Sequence, residues 1–344
     1  MKSRFRLAVL GAGRAGMVHA RNAAGAVPGA ELACVVDADP VVGHQAGEEL
    51  GVPVFADLEQ ALSGAAFDGV VVTAPTFAHP ELAILAAVAA KHVFCEKPMA
   101  LSLADCDAMA AAAERAGIVF QVGFVRRFQP EFAEAKRRIE AGAIGTPMVV
   151  KSLTRGPGLP PVWAHDLRRS NGMLAEVNSH DFDCVRWLMG SDIERVYAET
   201  ANFKGAERGV TAPNFYDNAV VSLRFVAGAI GTIDGTCPAD YGYDARAEVL
   251  GTEGLLVVGD NRAMPLLEVR TRGRGEAPTW SSWPARFEPG YRAELAGFVQ
   301  AASTGTAPLV GAADGRAAVA AVIAANTSWL EGRPVTLASP AAQR

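Results

Sequence analysis

Cysteine is scarce in this chain and is not arranged in pairs. Only five of the 344 residues are cysteine, an odd number, and they are widely spaced without a Cys-x-x-Cys motif. Neither a disulfide framework nor a zinc site has this pattern. We therefore expect reduced thiols in a cytoplasmic protein, and no bound metal.

The sequence also has no excess of basic residues and no long apolar segment. Its 32 basic and 37 acidic residues are interspersed and give a formal net charge of −5, whereas nucleic-acid binding requires a basic patch or stripe. No apolar stretch approaches the roughly 20 residues of a membrane-spanning helix, and the apolar run near the start is too short for a signal sequence. The composition therefore disfavours nucleic acids and membranes as partners.

What is present is enough apolar sequence for two hydrophobic cores. Half of the residues are hydrophobic, and the chain exceeds the length at which one core usually stops growing. Up to about residue 122, short β-branched runs alternate with alanine-rich segments, which is typical of βαβ units around a doubly wound parallel sheet. The predicted strands are 6–10, 31–36, 52–55, 69–74, 92–95 and 118–122, and the predicted helices are 15–25, 41–50, 57–63, 80–90 and 103–116.

The pattern changes after Gly123. Consecutive strand-like segments without intervening helices favour a mainly antiparallel sheet. These segments are 147–154, 193–202, 216–226, 229–237, 244–251 and 254–259, with helices at about 130–141, 173–189, 290–303 and 312–330. We therefore predict a first domain over residues 1–122 and an α+β domain with a large, mainly antiparallel open sheet over residues 123–344.

Local signals mark several of the predicted helix starts. Asp57 precedes Leu58, Pro80 stands at a first helical position, and Ser102 is followed three residues later by Asp105. The last pair is a variant of the capping box, in which two side chains satisfy free N–H groups at a helix start.

A glycine-rich turn follows the first predicted strand and opens a helix. It comprises Gly11, Ala12, Gly13, Arg14, Ala15 and Gly16. In a dinucleotide-binding turn the first glycine makes the tight bend, the second lets the backbone approach a pyrophosphate, and the third permits close packing of helix and strand. The free N–H groups of the helix then face the phosphates. Taken alone, such a turn could also exist without a ligand.

Asp37 ends the second predicted strand, twenty-one residues after Gly16. A carboxylate at this place accepts hydrogen bonds from the adenosine ribose of NAD, and it would repel the 2′-phosphate of NADP. Ala38 and Asp39 follow, so no basic residue is adjacent to offset that repulsion. The alternative is an aspartate that only begins a turn. The sequence favours a Rossmann domain that binds NAD.

The fourth and fifth predicted strands end in segments with chemically useful side chains. Ligands of doubly wound sheets bind at the carboxyl ends of the strands, where we expect cofactor contacts from Thr73, Ala74, Pro75 and Thr76. His79 could contact the cofactor or cap the next helix. Lys97 follows the fifth strand, with Glu96 as one candidate partner. The alternative for Lys97 is an ordinary solvated surface lysine.

Glu176 and His180 lie in the predicted helix 173–189 with a spacing of four residues. In a continuous helix this spacing places both on one face, where the carboxylate can fix the imidazole tautomer and leave the other nitrogen to take a proton. A surface ion pair is the alternative. A metal site is poorly supported, because a third ligand at a standard spacing is missing.

Together these segments resemble the Gfo/Idh/MocA oxidoreductases, and within them the inositol 2-dehydrogenases. The resemblance covers nearly the whole chain. It rests on the glycine turn, Asp37, 73–75, His79, 91–98 with Glu96-Lys97-Pro98, 123–128, 171–183 with the His-Asp-Phe-Asp run, 241–246, Asp314-Gly315 and 332–335.

The resemblance implies roles for individual residues. Lys97 would contact the reacting hydroxyl and His180 would be the acid/base, assisted by Glu176, which replaces the aspartate of the family. The extra methylene would displace that carboxylate by roughly 1.5 Å and bears on the choice of substrate. Further contacts are expected with the cofactor from Glu96, Lys97, His79 and Arg126, and with the substrate from Arg127, Trp163 and Tyr243. Trp163 could equally be a loop hydrophobe.

The sequence therefore predicts an NAD-dependent oxidoreductase that acts on CH–OH groups. The substrate would be a small polyhydroxylated cyclitol or sugar, oxidised at a secondary hydroxyl. Two alternatives stay open: a sugar or glycoside oxidoreductase with tightly held NAD, and a non-catalytic dinucleotide-sensing regulator. Relatives commonly assemble through the second domain, so the resemblance and an exposed sheet face predict a dimer or tetramer.

Overall fold

The computed structural model describes residues 4–263, 268–269, 275–276 and 278–337. The chain divides into two compact units. The first runs to Phe128 and includes Pro289–Val319, and the second comprises Gln129–Glu288 and the residues from Ala320 onward. The predicted domain limits at residues 1 and 344 lie outside the described residues, and the functional division at residue 122 stays a prediction.

The first unit is built on a parallel six-stranded sheet. Its strands are β1 (Phe5–Leu10), β2 (Ala30–Val36), β3 (Val54–Phe55), β4 (Gly69–Val72), β5 (His92–Glu96) and β6 (Phe120–Gly123). Their order is β3-β2-β1-β4-β5-β6, and all neighbours are parallel. The order reverses between β1 and β4, which is the switch point at which such sheets bind ligands. The predicted doubly wound fold is confirmed.

The helices between these strands begin within one residue of their predicted starts, and Pro80 is the second residue of its helix and not the first. They are α1 (Arg14–Arg21), α2 (Pro40–Leu50), α3 (Leu58–Gly64), α4 (His79–Val88) and α5 (Leu103–Ala116). The Asp57 carboxylate accepts the Gln60 N–H at 2.8 Å, and Ser102 Oγ accepts the Asp105 N–H at 3.0 Å. Asp57 and Ser102 therefore both cap their helices. The Asp105 carboxylate accepts the Ser102 hydroxyl at 2.7 Å, which differs from the second bond of a capping box.

The second unit contains a mixed, mostly antiparallel sheet of seven strands. They are β7 (Pro147–Arg155), β8 (Ile193–Ala201), β9 (Asn218–Phe225), β10 (Ile230–Thr236), β11 (Asp244–Gly251), β12 (Leu255–Val258) and β15 (Val335–Thr336), while β13 (Glu268–Val269) and β14 (Gly275–Glu276) form a separate pair. The order is β12-β11-β7-β10-β9-β8-β15. Only β7 and β10 pair in parallel among these neighbours. The predicted, mainly antiparallel character of this sheet is confirmed. The parallel pairing of β7 with β10 and the strand β15 were not predicted from the sequence.

The remaining helices differ from the prediction in one important place. They are α6 (Pro130–Glu140), α7 (Leu167–Ser170), α8 (Gly172–Glu176), α9 (Ser179–Met189), α10 (Lys204–Glu207), α11 (Trp283–Thr304) and α12 (Ala312–Glu331). The single helix predicted over 173–189 is wrong, because Val177 and Asn178 separate α8 from α9. None of the helices in the described part of the chain combines the length and apolar character needed to cross a bilayer.

Residues 289–319 belong to the first unit, although the predicted boundary groups them with the second. The reason is packing: Leu295, Phe298 and Val299 of α11 share one buried core with Leu7 of β1 and other residues of the parallel sheet. Helix α11 also departs from helical geometry at Phe287, two residues before Pro289. A proline inside a helix removes one hydrogen bond and favours such a bend.

Candidate active site

The glycine turn of the first unit has two positions that exclude a side chain and one that is open. A Cβ at Gly16 would lie 1.8 Å from the Gly11 carbonyl oxygen, and one at Gly11 would lie 2.8 Å from the Ala74 nitrogen. Gly11 also has a φ of 99°, which favours glycine. No atom lies within 4 Å of a Cβ placed on Gly13. The backbone at Gly13 is therefore accessible, as the second glycine of a dinucleotide-binding turn requires, and its contact with a pyrophosphate stays a prediction.

The start of α1 directly follows Gly13 of the glycine turn and is accessible to solvent. Gly13 and Arg14 are exposed, and Ala15 is half-buried. Gly13 is the residue before the helix, and its side-chain-free backbone supplies no capping group. The first N–H groups of the helix and its positive dipole end are thus available to an anion.

Asp37 has a role that the sequence did not reveal. Its Oδ2 accepts the Ala12 N–H at 2.7 Å, and its Oδ1 accepts the Asp39 N–H at 2.9 Å. The carboxylate therefore holds the glycine turn in place. Because each carboxylate oxygen accepts more than one hydrogen bond, Asp37 keeps capacity for ribose hydroxyls.

Thr73 fixes the same turn from β4. Its hydroxyl oxygen lies 2.7 Å from the Gly11 carbonyl oxygen and 3.0 Å from that of Leu10. Ala74 is half-buried, Pro75 is exposed and Thr76 is buried. The structure therefore gives Thr73 a structural role in the turn, and cofactor contacts from this segment stay a prediction.

His79 bridges the segments that follow β4 and β5. Its Nε2 lies 2.8 Å from the Ala74 carbonyl oxygen and its Nδ1 lies 2.9 Å from that of Pro98. Burial lowers the pKa of His79, although the carbonyl contacts oppose this. The alternative of a helix cap is wrong, because α4 begins at His79 itself and its N-cap residue is Ala78.

Lys97 directly follows β5 and is half-buried. Glu96 is buried, and its Oε2 accepts the Lys97 backbone N–H at 3.0 Å. The other carboxylate oxygen lies 2.7 Å from Nε2 of His19. Glu96 is thus a partner of the Lys97 backbone. No role for His19 was predicted from the sequence. The one sequence signal for such a role is its position on α1, three residues after Gly16 of the glycine turn.

The two arginines of the turn after β6 are both buried. Arg127 Nη2 lies 2.9 Å from Oδ1 of Asp314, and both residues belong to the first unit. Arg126 is only 1% exposed. The contacts of Arg127 favour a structural role, and the predicted cofactor contact of Arg126 and substrate contact of Arg127 stay predictions.

In the second unit, His180 is buried near the start of α9, whereas Glu176 is half-buried at the end of α8. The two residues do not share one continuous helix, so the spacing argument that paired them is wrong. Their predicted roles stay predictions.

Asp181, the neighbour of His180, anchors the start of α9 to the sheet. Its carboxylate accepts hydrogen bonds from Ser152 Oγ at 2.5 Å, Thr154 Oγ1 at 2.6 Å and Asn178 Nδ2 at 2.8 Å. Ser152 and Thr154 lie two residues apart on β7, so they share a sheet face. The backbone that carries His180 is therefore fixed by a fully buried carboxylate.

Two further predicted substrate residues lie elsewhere in the second unit. Trp163 is half-buried in the 3-10 turn Val162–His165. Tyr243 is buried, its N–H donates to the Trp280 carbonyl oxygen at 2.7 Å, and its ring contacts Phe287 edge-on at 6.1 Å. Packing accounts for Tyr243, and substrate contact by either residue stays a prediction.

A doubly wound sheet with an open glycine turn at its switch point, and a carboxylate after its second strand, defines a dinucleotide-binding protein. Family models agree with this class. Residues 5–124 match the model described as an oxidoreductase family with an NAD-binding Rossmann fold, and residues 132–257 match the GFO/IDH/MocA C-terminal domain. The chain belongs to the GFO/IDH/MocA oxidoreductase family.

Individual relatives extend over nearly the whole chain. A scyllo-inositol 2-dehydrogenase (NAD(+)) from Bacillus subtilis is 36% identical, with 98% of this chain and 97% of the relative covered. A myo-inositol 2-dehydrogenase from Thermotoga maritima is 35% identical, with 97% and 98% covered. The crystal structure of scyllo-inositol dehydrogenase from Lactobacillus casei with bound NAD(H) and scyllo-inositol has a TM-score of 0.89 and 25% identity, and the match covers 98% of this chain and 100% of that one. The predictions of NAD as cofactor and of an NAD-dependent oxidoreductase are confirmed.

Proposed function

We propose that this protein oxidises a secondary hydroxyl of an inositol-like cyclitol to a ketone, with NAD as the acceptor. The observation that carries the proposal is the presence of Lys97 at the carboxyl end of β5, in the same parallel sheet as the open glycine turn. The full-length similarity to inositol 2-dehydrogenases supports the substrate class.

Bound NAD would supply the acceptor for the hydride from the substrate carbon. The residues of this chain would bind the cofactor, stabilise the substrate oxygen and accept its proton. Gly13 and the start of α1 would hold the phosphates of NAD, and Asp37 would bind its ribose. Lys97 donates a charge-assisted hydrogen bond to the substrate oxygen. This bond stabilises the negative charge that develops on the oxygen as the hydroxyl proton leaves. His180 takes that proton, and Glu176 assists, as the resemblance to the family implies.

A panel of polyols tests this proposal. Purified protein with NAD should produce NADH, measured by absorbance, with one or more inositol isomers and more slowly with open-chain polyols. Pyranosides and aminocyclitols belong in the same panel, because Glu176 changes the position of a carboxylate by roughly one C–C bond. If NAD binds and none of these compounds yields NADH, the proposed function is wrong.

Asp37 should set the cofactor preference. We expect kcat/KM to be at least about tenfold higher with NAD than with NADP, because the carboxylate repels a 2′-phosphate. Asp37→Ser should reduce that ratio. Since Asp37 also binds the Ala12 N–H, the variant should in addition weaken binding of both cofactors. A wild-type preference for NADP would contradict the assignment.

The second unit presents an exposed sheet face that we propose is buried in a homo-oligomer. Its outward-facing apolar residues include Val220 of β9, Ile230 of β10, and Leu255 and Val257 of β12, which are 49% to 66% exposed. Charged residues share this face, among them the Lys151–Glu248 ion pair next to Val257. A face that mixes exposed apolar residues with paired charges is typical of a protein–protein interface.

Light scattering should therefore report a dimer or tetramer at micromolar concentration. Val257→Glu should lower the mass, because a buried unpaired charge at an interface is costly. Val88→Glu is the matched control, since Val88 is 77% exposed but lies on α4 of the first unit. A monomeric wild type refutes the proposal.

A further inference from the structure

The first unit contains a cluster of three buried titratable side chains. His19 comes from α1, Glu96 from the end of β5 and Glu294 from α11. Their candidate ligand atoms all lie within 4.8 Å of one another. His19 and Glu294 are fully buried and Glu96 is 5% exposed. Because buried charges are costly unless they are paired, the charge state of this cluster has energetic consequences.

Glu96 links the cluster to Lys97. One carboxylate oxygen is bound to the Lys97 N–H and the other to His19 Nε2. Burial raises the pKa of Glu96, but the hydrogen bond with His19, together with the charges of His19 and Lys97, outweighs this and holds the pKa below its usual range. Glu96 is therefore the ionised carboxylate of the cluster, and it fixes the backbone from which the Lys97 side chain leaves.

His19 links the cluster to the cofactor turn. It lies on α1, the helix that begins at the glycine turn, and its ring packs 4.9 Å from the ring of Phe94 and 5.6 Å from that of Tyr291. The imidazole has little freedom to move in this setting. A single buried hydrogen bond thus joins the phosphate-binding helix to the strand end that carries Lys97.

Glu294 has no hydrogen-bond partner for either carboxyl oxygen among the described residues. Gln121 of β6 binds only its backbone, with Nε2 at 2.9 Å from the carbonyl oxygen. Burial and the charge of Glu96 raise the pKa of Glu294 well above its usual range. Ionisation of two carboxyl groups this close in an apolar interior is unfavourable, and the full burial of Glu294 without a hydrogen-bond partner for its carboxyl oxygens favours protonation of Glu294.

The geometry favours a proton over a metal ion. His19 Nε2 and Glu96 Oε1 are 2.7 Å apart, which is a direct hydrogen bond. Two ligands of a tetrahedral ion with bonds of about 2.0–2.1 Å would be roughly 3.3 Å apart.

We propose that His19 and Glu96 position Lys97 for the reaction, and that Glu294 stays protonated so that the cluster carries only one carboxylate charge. The titratable groups near Glu294 are His19 from α1, Glu96 and Lys97 at the end of β5, and Tyr291, which lies on the same helix as Glu294. The positioning role rests on the proposed function. The protonation of Glu294 does not, and it is tested without substrate.

The first experiment compares the stability of Glu294→Gln and wild type from pH 5 to pH 8. The unfolded chain releases the Glu294 proton above about pH 4.3, whereas the folded protein keeps it up to a raised pKa. Wild-type stability is therefore lost as pH rises through this window. The amide has no such proton, so the folding equilibrium constant of the variant, relative to wild type, should rise with pH, by up to about tenfold per pH unit for as long as the folded protein keeps the proton.

Denaturant midpoints of the full chain provide this measurement, and Glu114→Gln, at an exposed position of α5, is the matched control that should show little pH dependence. A stability difference that does not change with pH would show that Glu294 ionises normally and overturn the proton assignment. Stoichiometric metal in the wild type that is absent from Glu294→Gln would overturn it as well.

The second experiment tests positioning. Glu96→Gln keeps the size of the side chain and removes the charge that holds His19 and the Lys97 turn. We expect kcat to fall at least about tenfold, since misplacement of a catalytic group by about 1 Å can cost 10²-fold, while the Kd for NAD changes less than about threefold. His19→Gln removes the other partner of the His19–Glu96 hydrogen bond. It should likewise lower kcat and leave the Kd for NAD nearly unchanged. An unchanged kcat in both variants, or equal losses in kcat and NAD affinity, overturns the positioning role.

Discussion

Replacing His180 by alanine is expected to lower kcat by about 10²–10⁴-fold and to leave NAD affinity nearly unchanged. The range is that of a positioned acid/base. His180 belongs to the second unit, whereas the glycine turn and Asp37 belong to the first, so the substitution removes no group that we assign to NAD binding. Steady-state kinetics and an NAD titration measure the two effects separately.

The pH profile gives an independent check on His180. In the wild type kcat/KM should fall at acidic pH, because protonation of the base removes its ability to accept the substrate proton, and in His180→Ala this acidic limb should move or vanish. Glu176→Gln should cost less activity, because it keeps the shape and loses only the charge. His44→Ala, at an exposed histidine of α2, is the control. If His180→Ala retains wild-type turnover, Lys97 acts with a different base.

The details of side-chain contact that the sequence predicted correctly are local in the chain. The caps at Asp57 and Ser102 involve partners three residues away, and the roles of Gly11 and Gly16 follow from one short turn. Such patterns are visible in a single segment because the interacting groups are neighbours along the chain.

The break between α8 and α9 coincides with a tertiary contact of Asn178. The amide of Asn178 donates to Asp181, and a Cβ on Gly235 would lie 2.1 Å from Asn178 Oδ1. The Asn178 side chain is thus seated against β10 of the sheet. A helical pattern over 173–189 contains no information about this contact, so tertiary packing overrides local propensity.

The cluster around Glu96 was missed for a related reason. His19 and Glu96 are 77 residues apart, and Glu294 comes from a helix that the sequence assigned to the other domain. Only the packing of Leu295 and Phe298 on the parallel sheet brings Glu294 to this place. An acid between apolar residues of a helix is an ambiguous signal until the neighbours of that helix are known.

Alanine substitutions at Gly13 and at Gly16 should affect different properties: Gly16→Ala should mainly lower stability, and Gly13→Ala should mainly weaken NAD binding. For Gly16→Ala the new Cβ would meet the Gly11 carbonyl at 1.8 Å, and both are backbone positions that rotamer changes cannot relieve. We expect a loss of about 2–3 kcal/mol in the free energy of unfolding, which corresponds to a fall in Tm of about 5–10 °C for a unit of this size. Weaker NAD binding would follow from the displaced turn.

Gly13→Ala should leave Tm nearly unchanged, since no protein atom lies within 4 Å of the new Cβ and Gly13 has a φ of −68° that alanine adopts readily. The methyl group instead occupies the space that the pyrophosphate needs, so the Kd for NAD should rise at least about tenfold, equivalent to about 1.4 kcal/mol. Gly25→Ala is the matched control, because its Cβ also meets no atom within 4 Å but lies after α1, away from the turn. Thermal melts without cofactor and NAD titrations separate the two effects. If Gly13→Ala binds NAD as tightly as the control does, the pyrophosphate does not lie against this turn, and the assignment of the open position must be abandoned.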